Sequence, residues 1–287
     1  MMMIKNFHNF NFSAYIELSR FLKPTGFLLL WIPCLFGLSF LNLSLQDYIF
    51  KSLIFLVGAI SLRTVGCIIN DILDRDFDKH VERTKNRPLA NGSLNLKQAL
   101  IFLIFCLIPG FFVFLTLPKH NQYIAILSLL IAVIYPLFKR FTYFPQIILG
   151  IAFNSGIFIV AYGYIDFPFL MFIYIGSIFW TLAYDTIYAF QDEKDDSIIG
   201  LKSTAVYFKK HPKKIITFFY FMSFFFYMWV TCFTDTCATA YVTLLIFIIL
   251  QIKKWDPKNL KSCLSFFKLN VVIGLFITLI FKFLSHP

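Results

Sequence analysis

Two short stretches carry ten of the chain's fifteen acidic residues. The first is NDILDRDFDKHVE, with Asp71, Asp74, Asp76, Asp78 and Glu82; the second is YDTIYAFQDEKDD, with Asp185, Asp192, Glu193, Asp195 and Asp196. Residues three and four apart share a helix face. Asn70, Asp74 and Asp78, with Asp71 three before Asp74, therefore predict a stripe of one amide and three carboxylates on an extended helix. Asp185, Asp192 and Asp196 predict a second stripe. Carboxylates stacked in this way raise one another's pKa unless a cation lies between them. A hard divalent cation that takes oxygen ligands and bridges to substrate phosphates fits that need, and Mg²⁺ is the expected ion.

Arginines supply the complementary half. The chain has 26 Lys and Arg, of which only six are Arg, so the places where Arg persists are informative. Arg83 and Arg87 lie in RTKNRPLANG directly after the first acidic stretch, Arg140 lies in YPLFKRFTYFPQ, and Arg63 sits two turns before Asn70 on roughly the same face. A guanidinium fork binds phosphate or carboxylate through two parallel hydrogen bonds, which an ammonium does not. A diphosphate neutralised by Mg²⁺ and clamped by arginines would balance both acidic stripes.

These groups must be positioned by membrane helices. Of 287 residues, 59% are apolar, 20% aromatic and only 14% charged, and the mean hydropathy is +0.75. Soluble domains run at about 45–50% apolar and about 25% charged. Runs near the ~20 apolar residues that span a bilayer predict nine transmembrane helices, near 25–45, 49–69, 98–117, 121–138, 144–164, 166–185, 214–234, 236–252 and 266–284. Segments such as SLLIAVIYPLF are apolar all round, unlike the alternating strands of a membrane barrel. No cleavable leader is evident, and FSAYIELSRFLKP predicts a short interfacial amphipathic helix. The expected organisation is an N-terminal interfacial segment, 1–24, and a single transmembrane domain, 25–287.

The net charge of +11 could suggest nucleic acid, but its placement is a topology signal. With a cytoplasmic N-terminus, 22 of the 26 basic residues fall in inner segments, and only Lys51, Lys119 and Lys282 fall outside, with Arg63 inside a span. By the bias of basic residues toward the cytoplasmic side, the N-terminus and both acidic stretches are expected in the cytoplasm, as in a bacterial inner membrane. No nucleic-acid partner is expected. The six cysteines (34, 67, 106, 232, 237 and 263) and five histidines (8, 80, 120, 211 and 286) form no ligand cluster. The cysteines read as packing residues, although Cys232 and Cys237 flank an outer turn and could pair.

The residues also resemble the UbiA superfamily of intramembrane prenyltransferases. The first acidic stretch and the arginine-containing loop after it match the pattern NDxxDxxxDxxxxRTxxRPLxxG from Asn70 to Gly92. The second, YDTIYAFQDEKDDSIIGLKSTA, is similar to the hydroxybenzoate branch, with Leu201 in place of the usual Ile; YPLFKRFTYFPQIILG is similar to the same branch's acceptor segment. The resemblance implies nine transmembrane helices around a central cavity, a cytoplasmic cap of two loops, and membrane lipids alongside a polyprenyl tail. It implies transfer of a polyprenyl group from polyprenyl diphosphate to 4-hydroxybenzoate, at the ring carbon ortho to the hydroxyl, as an early membrane step of ubiquinone biosynthesis. Asn70, Asp71, Asp74, Asp78, Asp192 and Asp196 are the expected Mg²⁺ ligands. Arg63, Arg83, Arg87 and Lys202 would neutralise the diphosphate. Arg140 would grip the acceptor carboxylate, and Asp185, with Tyr184 beside it, would orient or partly deprotonate the phenol. Other aromatic acceptors, such as a naphthoate, homogentisate or haem, remain open within the family. From another class, a cation transporter also uses acidic residues on facing helices, though usually near the bilayer midplane.

Overall fold

The computed structural model describes residues 11–79, 84–231 and 235–283, and among them every regular element is a helix. In chain order these are α1 (Phe12–Ser19), α2 (Thr25–Ser39), α3 (Leu45–Leu73), the single turn α4 (Arg75–Asp78), α5 (Leu96–Leu115) and α6 (Lys119–Ile134), which runs into a 3₁₀ segment, Tyr135–Arg140. Then come α7 (Pro145–Asn154), α8 (Gly156–Ala161), α9 (Phe167–Ala189), α10 (Glu193–Ile199), α11 (Thr204–Tyr207), α12 (Pro212–Thr231), α13 (Asp235–Lys254) and α14 (Leu260–Phe283).

The chain is an all-α, multi-pass membrane protein. Each of the nine expected spans falls on helix, and among the described residues seven helices are long and apolar enough to cross a membrane. The other two are the 15-residue α2 and the Pro145–Ala161 segment. At ~1.5 Å per residue α2 covers about 22 Å, short of the ~30 Å hydrocarbon layer. Among the described residues, helix length alone thus supports seven of the nine expected crossings. The expected first span runs on to residue 45 because Phe40 and Leu41 are apolar, yet both lie beyond the last helical turn. Conversely, α3 has 29 residues, about 43 Å, so it is longer than the apolar layer is thick, and its last turn carries the polar Asn70 and Asp71.

The fold divides into two compact units, residues 1–27 with 56–116 and residues 28–55 with 117–287. In the first, Ala14 and Leu18 of α1 are buried with Ile68 of α3, Leu89 and Leu94 of the following loop, and Ala99 of α5. α1 thereby docks on the polar end of α3, while Phe12, Phe21 and Leu22 stay exposed. α5 begins at a reciprocal cap, Asn95 with Gln98, a pairing that satisfies two otherwise orphaned N–H groups. It also contains Pro109, which removes one rung of its hydrogen-bond ladder. Just beyond, the Ser61 hydroxyl donates to the Cys106 carbonyl and accepts from Gly110 N–H at 3.0 Å, inserting between two groups that would otherwise bond each other. Ser61→Ala should cost about 1 kcal/mol, read as a lowered unfolding temperature in detergent; an unchanged temperature would show the bridge to be idle.

In the second unit α9 is the hub. Ser177 shares a 2.9 Å hydrogen bond with the Tyr227 hydroxyl of α12, and Trp180 donates to Asn270 of α14, which also accepts from Tyr220 of α12. On the other flank Asn154 of α7 donates to Thr181 Oγ1 at 2.8 Å. Such bonds between helices specify partners that apolar side chains alone would not. At Gly176 an added Cβ would lie 2.7 Å from the Tyr227 ring, so only glycine permits that approach. Cys237 is buried and donates to Thr231 O, while Cys232 lies outside the described residues.

Candidate active site

The first acidic stretch does not sit on one continuous helix. α3 ends at Leu73, Asp74 adopts φ −97° and ψ 1°, and α4 then begins. Helical hydrogen bonding still passes through, since Asp74 N–H donates to Asn70 O at 2.9 Å and Asp78 N–H to Asp74 O at 2.8 Å. Asp74 thus occupies the N-cap position, but its side chain makes no capping hydrogen bond. The second stretch repeats this arrangement. α9 ends at Ala189, and Asp192, at φ −109° and ψ 4°, precedes α10, again with no capping bond from its carboxylate. Backbone near ψ 0 is sparsely populated and recurs at active-site residues. In both stretches it places a half-buried aspartate directly beyond a spanning helix.

Arginines neutralise the first stretch. Arg20 Nη2 donates to both Asp71 oxygens, at 2.9 and 2.8 Å. Arg87 Nη1 lies 3.2 Å from Asp71 Oδ1 and 2.8 Å from Asp78 Oδ2, so one nitrogen serves two carboxylates. Asp71 is 2% exposed and Asp78 7%, and burial without such partners would be costly. Thr84 Oγ1 donates to Asp78 O and ties the RTKNRP loop to α4. Asp76 stands apart: hydrogen bonds from Lys79, then Arg75, hold its exposed carboxyl down at about 2. It is absent from the family pattern, and its neighbours already engage it.

Arg63, on α3, is half-buried against Gly26 at the start of α2. A Cβ at Gly26 would come 2.5 Å from Arg63 Nε and 3.2 Å from Cζ, so the absence of a side chain there makes room for the guanidinium. Arg83 and Glu82 lie outside the described residues.

In the second unit Asp185 is half-buried near the end of α9, and Asp192 and Asp196 are half-buried around α10. Asp196 O accepts from Leu201 N–H after Gly200 closes the helix at φ 80°, the left-handed cap that glycine adopts without strain. Ser203 then caps α11, and Thr204 ties it to α9 through Thr186, at 2.6 Å, and to Gln146 of α7. This anchors Lys202, whose ammonium donates to Phe141 O at 3.3 Å and lies 5.4 Å from the Tyr143 ring centre. The structure therefore brings the GLKST segment beside the 3₁₀ turn that ends in exposed Arg140. Tyr184 is placed differently from a substrate-facing residue. It is 2% exposed, accepts from Thr181 Oγ1 at 3.1 Å, and lies edge-on to Trp180 with its ring 6.0 Å from Phe267.

Arg20 is the residue that the sequence reading missed, having counted it only toward topology. Its scarcity as one of six arginines was a usable signal; its partner, 51 positions along the chain, was not. Among the described residues no three His, Cys, Asp or Glu side chains form a cage that could hold a metal alone. The carboxylate and amide oxygens present suit Mg²⁺, which binds through one or two carboxylates plus substrate phosphates and water more often than in an all-protein cage.

The UbiA prenyltransferase family model matches residues 30–280. A 4-hydroxybenzoate octaprenyltransferase of Legionella pneumophila (strain Lens) is 42% identical over 207 residues, 71% of this chain and 73% of that protein. One of Francisella tularensis subsp. mediasiatica (strain FSC147) is 38% identical over 273 residues, 93% of this chain and 95% of that protein. The apo structure of a UbiA homolog from Aeropyrum pernix K1 shares the fold, with a TM-score of 0.69, 23% identity, and coverage of 89% of this chain and 95% of that one. A UbiA homolog from Archaeoglobus fulgidus bound to DMAPP and Mg²⁺ gives 0.70 at 18% identity, covering 94% and 98%. A pattern matched from Asn70 to Gly92, a helical fold shared with these structures and relatives that align along nearly the whole chain lead to one assignment: the protein belongs to the UbiA prenyltransferase family.

Proposed function

We propose that this protein transfers a polyprenyl group from polyprenyl diphosphate to 4-hydroxybenzoate, in the membrane, with Mg²⁺, as an early step of ubiquinone biosynthesis. One local observation carries the reading: two acidic stretches each set an aspartate, Asp74 and Asp192, at a non-helical joint beyond a spanning helix, its carboxylate not used for capping. The acceptor follows from the relatives, which are named for hydroxybenzoate and octaprenyl transfer.

Of the six expected Mg²⁺ ligands, Asn70, Asp74, Asp78, Asp192 and Asp196 would hold the ion and the diphosphate it neutralises, while Asp71, engaged by Arg20 and Arg87, would steady that end of the site. The ion would supply charge stabilisation to the departing phosphate oxygens. Arg87 spends Nη1 on Asp71 and Asp78; its Nε and Nη2 hydrogens, unbonded among the described residues, would bind diphosphate oxygens. Arg63, Arg83 and Lys202 add positive charge that steadies the same leaving group. The bond from the allylic carbon to oxygen breaks, and an apolar interior keeps water from the cation that results. The acceptor's ring carbon ortho to its hydroxyl forms the new bond and loses its proton. Asp185 would orient the phenol, and Arg140 would hold the acceptor carboxylate in a two-point grip. Tyr184 serves from behind, bracing Thr181.

The charge distribution supports a bacterial inner-membrane location with the N-terminus and both acidic stretches on the cytoplasmic side. Exposed Phe12, Phe21 and Leu22 suit residues 1–24 to the bilayer interface, joined to one prenyltransferase domain in 25–287. A cation transporter would need carboxylates along a path through the helices, whereas Asp71 and Asp78 are ion-paired to arginines at a helix end.

The test is competition among acceptors: purified protein in lipid receives labelled prenyl diphosphate with 4-hydroxybenzoate, a dihydroxynaphthoate and homogentisate together. Label is expected on hydroxybenzoate alone, ortho to its hydroxyl, and preference for another ring would overturn the acceptor. Arg140→Ala should raise the KM for hydroxybenzoate at least about tenfold, the loss of one charge-assisted contact, while leaving the KM for prenyl diphosphate near wild type. Equal rises in both would remove Arg140 from the acceptor site.

A further inference from the structure

We propose that Arg20 is a positioning residue of the diphosphate site: it fixes Asp71, Asp71 with Arg20 aims Arg87, and Arg87 sets the carboxylate of Asp78. The inference rests on the prenyl-diphosphate reading above and extends it to the segment before the first apolar helix, which carries no acidic stretch of its own.

Three independent observations converge. The first is the bidentate contact of Arg20 Nη2 with both oxygens of Asp71, whose side chain is 3% exposed, against 18% for Arg20. The second is the continuation of that contact. Asp71 Oδ1 also lies 3.2 Å from Arg87 Nη1, and the same nitrogen is 2.8 Å from Asp78 Oδ2, so two arginines and two aspartates form one neutral relay. The third is backbone strain. Arg20 caps α1 at φ 55°, and among the described residues it is the one non-glycine with positive φ. A left-handed cap is ordinarily glycine, because a Cβ is disfavoured there. A long cationic side chain at such a place is accounted for by what it reaches, and its other nitrogen, Nη1, secures the aim by donating to Glu17 O at 2.9 Å.

The relay is built on a fixed base. Ala14 and Leu18 bury α1 against Ile68, one turn before Asp71, so the helix carrying Arg20 and the helix carrying Asp71 share one apolar contact. Asp71 is then the joint of the relay, with both oxygens committed to guanidinium groups, and metal binding falls to Asn70, Asp74 and Asp78. Lysine could not substitute for Arg20, because one ammonium does not reproduce a planar fork held at both ends.

Arg20→Gly is the discriminating variant, since glycine suits the left-handed cap and removes only the side chain. It should purify as a monodisperse protein, with the KM for prenyl diphosphate raised by about tenfold or more, the usual scale for losing a group that orients ligands. The stabilisation of the unfolding temperature by Mg²⁺ plus inorganic pyrophosphate should shrink in parallel, which needs no turnover. Arg20→Lys should resemble Arg20→Gly. Asp71→Asn should show the same losses, and adding Arg20→Gly to it should change the KM by less than about twofold, because coupled residues are not additive. A wild-type KM and wild-type thermal shift in Arg20→Gly would overturn the proposal. Losses that multiply in the double variant would overturn it too, since Arg20 would then act on the ligand directly. If wild-type protein itself shows neither transfer nor a pyrophosphate shift, the prenyl-diphosphate reading falls and takes this proposal with it.

Discussion

Asp74→Ala should reduce prenyl transfer by about a thousandfold or more while leaving the protein folded, the scale on which losing a group that stabilises transition-state charge slows an enzyme. The cost of a lost helix cap is spared for a specific reason. Asp74 occupies an N-cap position, where Asp normally contributes through its side chain, but here the side chain makes no capping bond, and the helical connection runs through backbone groups that alanine also has. Asp192→Ala should behave alike, because Asp192 has the same backbone setting and likewise makes no capping bond from its side chain before α10. Transfer of labelled prenyl groups in lipid, read beside the unfolding temperature, checks both variants. Retention of more than a tenth of wild-type activity by either one would remove that aspartate from the reaction.

Arg87 should be lost at a cost to both stability and substrate binding. Its Nη1 is shared by two carboxylates that are 2% and 7% exposed. Arg87→Ala leaves Asp78 without its guanidinium and Asp71 with Arg20 alone, and breaking a buried pair from one side costs roughly 3–5 kcal/mol. The expected result is a markedly lower unfolding temperature in detergent and a large rise in the KM for prenyl diphosphate. Adding Asp78→Asn to Arg87→Ala should recover part of the stability, because the stranded charge disappears, but none of the substrate affinity. Arg87→Lys should keep more stability than alanine and still lose affinity, since an ammonium cannot serve two carboxylates and a diphosphate with a fork. An Arg87→Ala protein as stable as wild type would show that the pairing with Asp71 and Asp78 is not formed in solution.

The chemistry of the site was legible because it is written in residue type. Acidic residues are scarce in this chain, so two clusters at the ends of apolar runs stand out, and an arginine-containing loop directly follows the first. Their geometry was not legible. Periodicity assumes one continuous helix, and neither stripe is one: Asp74 and Asp192 turn the chain at ψ near zero, which no spacing rule registers. The cation that the stacked carboxylates call for is in part the protein's own, Arg20 and Arg87, and an ion pair between positions 20 and 71 leaves no local trace in a sequence. Tyr184 shows a related limit. Beside Asp185 in YDTIYA it reads as a substrate contact, but alternate helical faces diverge, and Tyr184 turns into the core against Trp180.

The spans show the same division. Hydropathy located every apolar helix, because burial in lipid demands unbroken apolar runs. Two of the nine expected spans fall on shorter helices because a window measures composition, not hydrogen bonding. Phe40 and Leu41 extend the apolar run of α2 without extending the helix, and Ser155 separates α7 from α8 within the Pro145–Ala161 segment. The bridge from Ser61 across the Pro109 break in α5 was invisible for the same reason as the Arg20 pair, since its partners are 45 and 49 positions away.

The most direct measurement is transfer of a radiolabelled prenyl group from its diphosphate to 4-hydroxybenzoate by purified protein in lipid, titrated with Mg²⁺ and then with EDTA. Labelled, ring-prenylated hydroxybenzoate that appears with Mg²⁺, vanishes with EDTA and returns when Mg²⁺ is restored is the expected result. No transfer to hydroxybenzoate or to any other aromatic acceptor, or transfer indifferent to EDTA, would contradict it.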